Sequence, residues 1–188
     1  GPYLYLGFPH IGSYSYNIFL WIILVSVLAG FGGSIMSKLI LKSLKWIAGF
    51  KFDWYRIIYI ILCGLIIAGS AFFISDRVVG SGKEIMTETL FTSEKYLPWY
   101  YPLMRIEGLI ISFSTGAAGG VFAPSLSAGA SIGSVFAGLL DLNVSESNLL
   151  ILSGMVAFLT GVTRTPFTSA ILVLEMTDRH NVIFHLML

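Results

Sequence analysis

The stretch Gly116-Ala117-Ala118-Gly119-Gly120-Val121-Phe122-Ala123-Pro124 lies inside a run, residues 108–140, that holds no charged side chain. A bilayer crossing needs about 20 apolar helical residues, so this run is too long for one helix. The Gly119-Gly120 pair falls where a single helix would have to pass through hydrocarbon. Broken backbone at that depth is tolerated only when it is buried in protein or lines a cavity. The N–H groups that the break frees make the start of the following helix a natural place for an anion. The stretch therefore predicts an interrupted membrane helix with an anionic ligand at its start.

Composition agrees with the membrane setting. The chain is 56% hydrophobic and 11% charged, against about 25% charged in soluble domains, and its mean hydropathy is +0.85. Fourteen Phe, nine Tyr and four Trp suit a lipid-facing surface with interfacial belts. A net charge of +1 gives no nucleic-acid footprint. The lone Cys63 excludes an intrachain disulfide and a Cys-cluster metal site, and is expected as a small buried hydrophobe. The start of the chain has no cleavable signal, and its end lies within the apolar Ile183-Phe184-His185-Leu186-Met187-Leu188. We therefore expect it to be part of a longer protein.

Outward from the opening stretch, the apolar segments fall at 16–35, 57–74, 99–114, 121–140 and 149–162, with a shorter one at 167–176. Lys38, Lys42, Lys45, Lys51 and Arg56 follow the first span against a single Asp53. Such an excess in a short loop marks the cytoplasmic side, so the first helix is expected to run inward. Lys38, Lys42 and Lys45 share one helical face and are expected to snorkel to headgroups. The stretch 75–98 mixes both signs of charge and suits the outer side. Arg105 and Glu107 sit two apart and cannot face each other on a helix. They are expected near an interface or paired with a neighbouring helix. Residues 141–146 read as a polar turn. Thr165 before Pro166 suits a helix start, and the helix after it is too short to span alone. Asp178 or Asn181 is expected to open a final segment. Short, Gly/Pro-interrupted helices among full spans are the pattern of transporters with broken helices. The fold class expected is an all-α, multi-pass protein integral to a membrane, expected to be the cell membrane, with broken and re-entrant helices.

The physical account of Gly119-Gly120-Val121-Phe122-Ala123-Pro124 is direct. The glycines permit unusual dihedrals and close approach, and Pro124 loses no helical bond in a first turn. The amides of Val121, Phe122 and Ala123 then point one way from a helix end carrying roughly half a positive charge. Several amides can hold a halide without a full cation. A glycine kink needed only for packing accounts for the same residues.

Gly119-Gly120-Val121-Phe122-Ala123-Pro124 resembles the G-x-F-x-P signature of the CLC family of chloride channels and chloride/proton exchangers. Gly154-Met155-Val156-Ala157 and Arg164-Thr165-Pro166, followed by Leu172-Val173-Leu174-Glu175-Met176-Thr177-Asp178, resemble further family segments in the same order. The resemblance implies that 1–188 is the C-terminal half of one CLC-like transmembrane domain, its second inverted repeat, with the final helix missing. It implies chloride as ligand, Val121 and Phe122 as the amide donors, no cofactor, no metal and no catalytic residue. It also implies a homodimer through 166–188. The family's gating glutamate, its G-S-G-I-P serine and its chloride-coordinating tyrosine are not matched here. Gly80-Ser81-Gly82 is followed by Lys83-Glu84, which departs both from that serine motif and from a P-loop. It is expected to be a structural helix start.

Other candidates carry less. Glu175 is expected as a helix-end or interhelical partner. His180 and His185 are five apart, off the i, i+4 spacing of a shared metal face, and are expected to be packed or interfacial. Gly129-Ala130-Ser131-Ile132 faintly resembles a rhomboid protease motif, with His185 as base, though Gly133 falls one residue late. The functional expectation is chloride transport. A non-transporting membrane scaffold of the same fold and the intramembrane protease are the alternatives.

Overall fold

The computed structural model describes residues 6, 9, 18–92 and 95–177. Seven α-helices and one 3-10 turn, and no strand, occur among the described residues. They are α1 (Ile18–Ala48), α2 (Asp53–Phe73), the 3-10 turn Asp76–Val78, α3 (Lys83–Phe91), α4 (Tyr100–Ser114), α5 (Phe122–Leu139), α6 (Val144–Thr163) and α7 (Pro166–Thr177). By length and composition α1, α2, α5 and α6 can cross a membrane, and α7 is a shorter apolar helix.

The expected loop after the first span is largely absent. α1 continues without interruption to Ala48, and only 49–52 separate it from α2. Its 31 residues make a rod of about 46 Å at 1.5 Å per residue, against a hydrocarbon core of about 30 Å. Lys38, Lys42 and Lys45 therefore stand on helix, exposed, beyond the apolar part. Arg56 closes the elbow by donating to the carbonyls of Ala48 and Phe50 and to Asp53. Trp46, Phe50 and Tyr55 stack edge-on around it.

α6 is the centre of the chain, flanked by α1 and α5. Both seams depend on residues without a side chain. A Cβ on Gly129 would lie 2.3 Å from the Gly154 carbonyl oxygen, and one on Gly154 2.5 Å from that of Gly129. On the other side, a Cβ on Gly161 would lie 2.1 Å from the Gly30 oxygen and one on Gly33 2.3 Å from that of Phe158. In lipid there is no hydrophobic drive between helices, so association rests on such close approach. Contacts Gly30–Ala157, Gly33–Phe158 and Ser34–Gly161 advance together, so α1 and α6 run side by side in the same direction. Gly129–Gly154 and Gly133–Leu150 run oppositely, as the short connection from α5 requires. That connection is tighter than the polar turn expected at 141–146: α6 already begins at Val144. Its N-cap Asn143 accepts from the Glu146 amide at 3.0 Å while Asn143 Nδ2 donates to the Glu146 carboxylate at 2.8 Å, a reciprocal cap of the capping-box kind.

α2 is the opposite case, with 6% of its apolar window buried against 72% for α6. Cys63 is its one fully buried residue and is a free thiol. The link between α3 and α4 is pinned by Lys95, which is buried. Its Nζ donates to the Thr89 and Leu90 carbonyls at the end of α3 and to Asn148 Oδ1 at 2.8 Å. These are carbonyls that a helix C-terminus leaves open. Burial pushes the Lys95 amine below its ordinary value.

Candidate functional site

The turn that breaks the uncharged run is built from both sides. α4 ends at Ser114, whose hydroxyl donates to the Ile111 carbonyl at 2.7 Å and lies 2.7 Å from the Tyr59 hydroxyl of α2. Since Ser114 has spent its hydrogen, Tyr59 is the donor between them. Thr115 follows as C-cap and accepts from the Ala117 amide at 3.3 Å. Gly116 takes a left-handed φ of +81°, and its amide donates to the Phe113 carbonyl. The unusual dihedral expected of the Gly119-Gly120 pair thus lies at Gly116; neither Gly119 nor Gly120 has a positive φ. Residues 117–120 then form an exposed, non-helical stretch.

α5 starts at Phe122, with Val121 as its N-cap and no side chain capping it. The first helical bond runs from the Ser125 amide to the Val121 carbonyl at 3.1 Å. Pro124 has no N–H to satisfy. The amides of Val121, Phe122 and Ala123 find no acceptor among the described residues. Phe122 is 48% exposed, and Val121, Ala123 and Pro124 are half-buried. One turn on, Ser125 is fully buried and its hydroxyl has no hydrogen-bond partner. This last feature was not anticipated, because nothing local distinguishes Ser125 from the bonded Ser127 and Ser131.

Behind the turn lies a polar core that sequence reasoning saw only in part. Arg105 of α4 is buried and pairs with a neighbouring helix, as one of its two expectations had it: Nε and Nη2 donate to Ser127 Oγ of α5 at 3.1 and 2.5 Å. Its Nη1 donates to the Val79 carbonyl at 3.2 Å. Ser127 passes its own hydrogen to the Pro124 carbonyl at 2.9 Å. The guanidinium thereby ties the first turn of α5 to α4 and to the segment before α3. Glu107, two residues away, is exposed. Gly82 is the N-cap of α3, with φ +75°. A Cβ there would lie 2.2 Å from Ser127 Oγ and 2.3 Å from Arg105 Nη2. Gly80-Ser81-Gly82 is a helix start shaped by its neighbours. The partners of Arg105 are far away in sequence, and no spacing rule could have named them.

The weaker candidates divide. Ser131 is fully buried in mid-helix with its hydroxyl committed to the Ser127 carbonyl at 2.8 Å, which leaves it no role as a nucleophile. Glu175 is exposed on α7, where no described residue pairs with it. Thr165 meets the Thr163 hydroxyl at 2.8 Å, and its carbonyl accepts from Ser169. Arg164, between them, closes α6 in a left-handed conformation. Asp178, His180, Asn181 and His185 lie outside the described residues, as do 178–188 of the expected dimer segment. Among the described residues no three His, Cys, Asp or Glu side chains cluster.

The family profile described as Voltage gated chloride channel matches residues 1–188. Over 85 residues the chain is 36% identical to the H(+)/Cl(−) exchange transporter ClcA of Salmonella paratyphi A. That alignment covers 43% of this chain and 18% of the relative's length.

Proposed function

The chain belongs to the voltage-gated chloride channel family, a family of channels and transporters and not of enzymes, and from that premise we propose that it forms one wall of a chloride pathway. The anion is held by the backbone amides of Val121 and Phe122, within Gly119-Gly120-Val121-Phe122-Ala123-Pro124. One observation carries this reading: α5 begins in the middle of an uncharged apolar run with the amides of Val121, Phe122 and Ala123 unpaired among the described residues. An amide left unpaired within hydrocarbon is costly, and a partly dehydrated anion relieves several at once. Amides attract it without a full charge, so it can leave again. Arg105, acting through Ser127 on the Pro124 carbonyl, fixes the direction in which those amides point.

Family membership also supports the finer architecture. The chain reads as the second, inverted repeat of the transmembrane domain, with the run 108–140 interrupted at the anion. A homodimer contact fits residues 166–188: α7 leaves Phe167 and Ile171 exposed on one face, four residues apart.

The test uses the full-length protein. Phe122→Pro removes one coordinating N–H and should weaken chloride binding by roughly tenfold or more, the range for a hydrogen bond to a charged group. Calorimetry reads the affinity and gel filtration the fold. An unchanged affinity in an intact fold would overturn the amide assignment. Chloride flux from proteoliposomes separates the remaining readings: proton movement coupled to it assigns exchange, uncoupled flux a channel, and no flux the scaffold.

A further inference from the structure

A groove of about 550 Å³ runs between α1 and α6 and closes against the start of α7. Its α1 wall is the stripe Ile23, Ser26, Val27, Gly30 and Ser34. Its α6 wall is Ser153, Val156, Ala157, Thr160 and Gly161, ending on Arg164. The floor is the close approach of the two backbones at Gly30 and Gly161. Because the helices run in the same direction, both walls can be followed to the same end. Four residues beyond Ser34 on its own face stands Lys38, and three residues beyond Gly161 stands Arg164. The Ser34–Gly161 hydrogen bond holds the two walls level at 3.2 Å, so the two cations flank the groove mouth about one turn past it. Both are exposed, and neither forms an ion pair with a described residue. This is also the end that the lysines mark as cytoplasmic.

Arg164 adds an independent sign. Its φ of +60° is a conformation that glycine adopts without penalty at a helix C-terminus and that other residues rarely take. An arginine stands there and lines the groove.

We propose that this groove binds an anionic phospholipid, with an acyl chain along the apolar and hydroxyl-bearing walls and the headgroup phosphate between Lys38 and Arg164. The chemistry matches at both ends. Ile23 and Val27 offer apolar surface to a chain, and two cations that form no ion pair with a described residue offer charge-assisted donors to a phosphate. Basic pockets between membrane helices on the cytoplasmic side suit acidic headgroups. A neutral, zwitterionic lipid would fill the groove without needing either cation. The inference is independent of the chloride reading, since lipid retention is measured without anion flux.

The experiment takes the full-length protein, reconstituted in vesicles of phosphatidylcholine with phosphatidylglycerol and re-extracted, with bound lipid counted by native mass spectrometry. Wild type should retain phosphatidylglycerol in preference to phosphatidylcholine. Lys38→Gln and Arg164→Gln should each lower that retention about fivefold, the effect of one cation near a charged membrane surface, and the double variant should abolish the preference. Lys51→Gln, an exposed lysine at the elbow, should leave it unchanged. Val27→Trp, at a 63% exposed position, fills the groove with both cations intact and should also lower retention. Equal retention of the two lipids by wild type overturns the proposal, as does full retention by the double variant. So does a cysteine at 27 that cross-links to another segment of the full protein, because the groove would then hold polypeptide.

Discussion

Glycine serves two unrelated purposes in this chain, and the contrast between the helix seams and the open turn separates them. At Gly33, Gly129, Gly154 and Gly161 a single Cβ would fall between 2.1 and 2.5 Å from a backbone oxygen of the facing helix. At Gly120 it would meet nothing within 4 Å, and at Gly119 only the Phe113 ring at 3.8 Å. The seam glycines are required by the fold that the chain itself makes. The turn glycines meet no such demand from the described residues. A packing kink and a binding loop, the two explanations that the sequence leaves open, differ in this respect.

Substitution can break or sharpen the contrast. The largest effect is expected at the seam: Gly129→Ala or Gly154→Ala forces backbones apart and should destabilise by about 1–3 kcal/mol or more, read as a lowered unfolding temperature in detergent. Next comes the polar core behind the turn. Ser127→Ala strips the Nε and Nη2 donors of Arg105 of this acceptor, a loss of about 1–3 kcal/mol, and should weaken chloride binding as the first turn of α5 loosens. Lys95→Met removes three hydrogen bonds and should cost a similar amount. It should also change a pH response. Burial lowers the Lys95 amine from 10.5, so the folded chain binds that proton less tightly than the unfolded one. Stability should therefore rise as pH climbs through the lowered value towards 10.5, and the variant should lose that slope in a denaturation series. The smallest effect on stability is at the turn: Gly120→Ala should stay within about 0.5 kcal/mol of wild type while lowering chloride affinity. Were Gly120→Ala to unfold the protein and spare anion binding, the distinction drawn between seam and turn would collapse.

Much of the architecture was legible because it follows from local rules. The uncharged run, the glycine pair and Pro124 located the start of α5 to within one residue, and the apolar segments located α2, α4 and α7 closely. The lysine spacing marks one helical face, but the charges do not mark the end of the helix, which runs on to Ala48. Charge ends a span, not a helix, and α1 keeps its hydrogen bonds in water as readily as in lipid. The turn is shorter than the expected 141–146 for a similar reason: Glu146 is polar because it caps α6, not because it lies outside it. The core behind the turn is legible only in part: a pairing of Arg105 with a neighbouring helix is expected, but its partners are not. Arg105, Ser127, Val79 and Gly82 come from separate elements, and only the packed fold shows that a glycine at 82 leaves room for an arginine from α4.

α1 also has a phase. Its buried residues run from Ile18 to Met36 and its last turns are largely exposed, yet the helix is continuous from Ile18 to Ala48. A rigid helix transmits rotation, so one residue inserted between Ser34 and Lys38 would turn everything after it by about 100° and advance it by about 1.5 Å. Lys38 would swing away from Arg164, and the elbow that Arg56 closes would face a different quarter of the membrane surface. The seam at Gly30 and Gly33 would not move. The length of α1 therefore acts as a clock hand: the packed half fixes where the helix stands, and the residue count beyond it fixes which way its cations point.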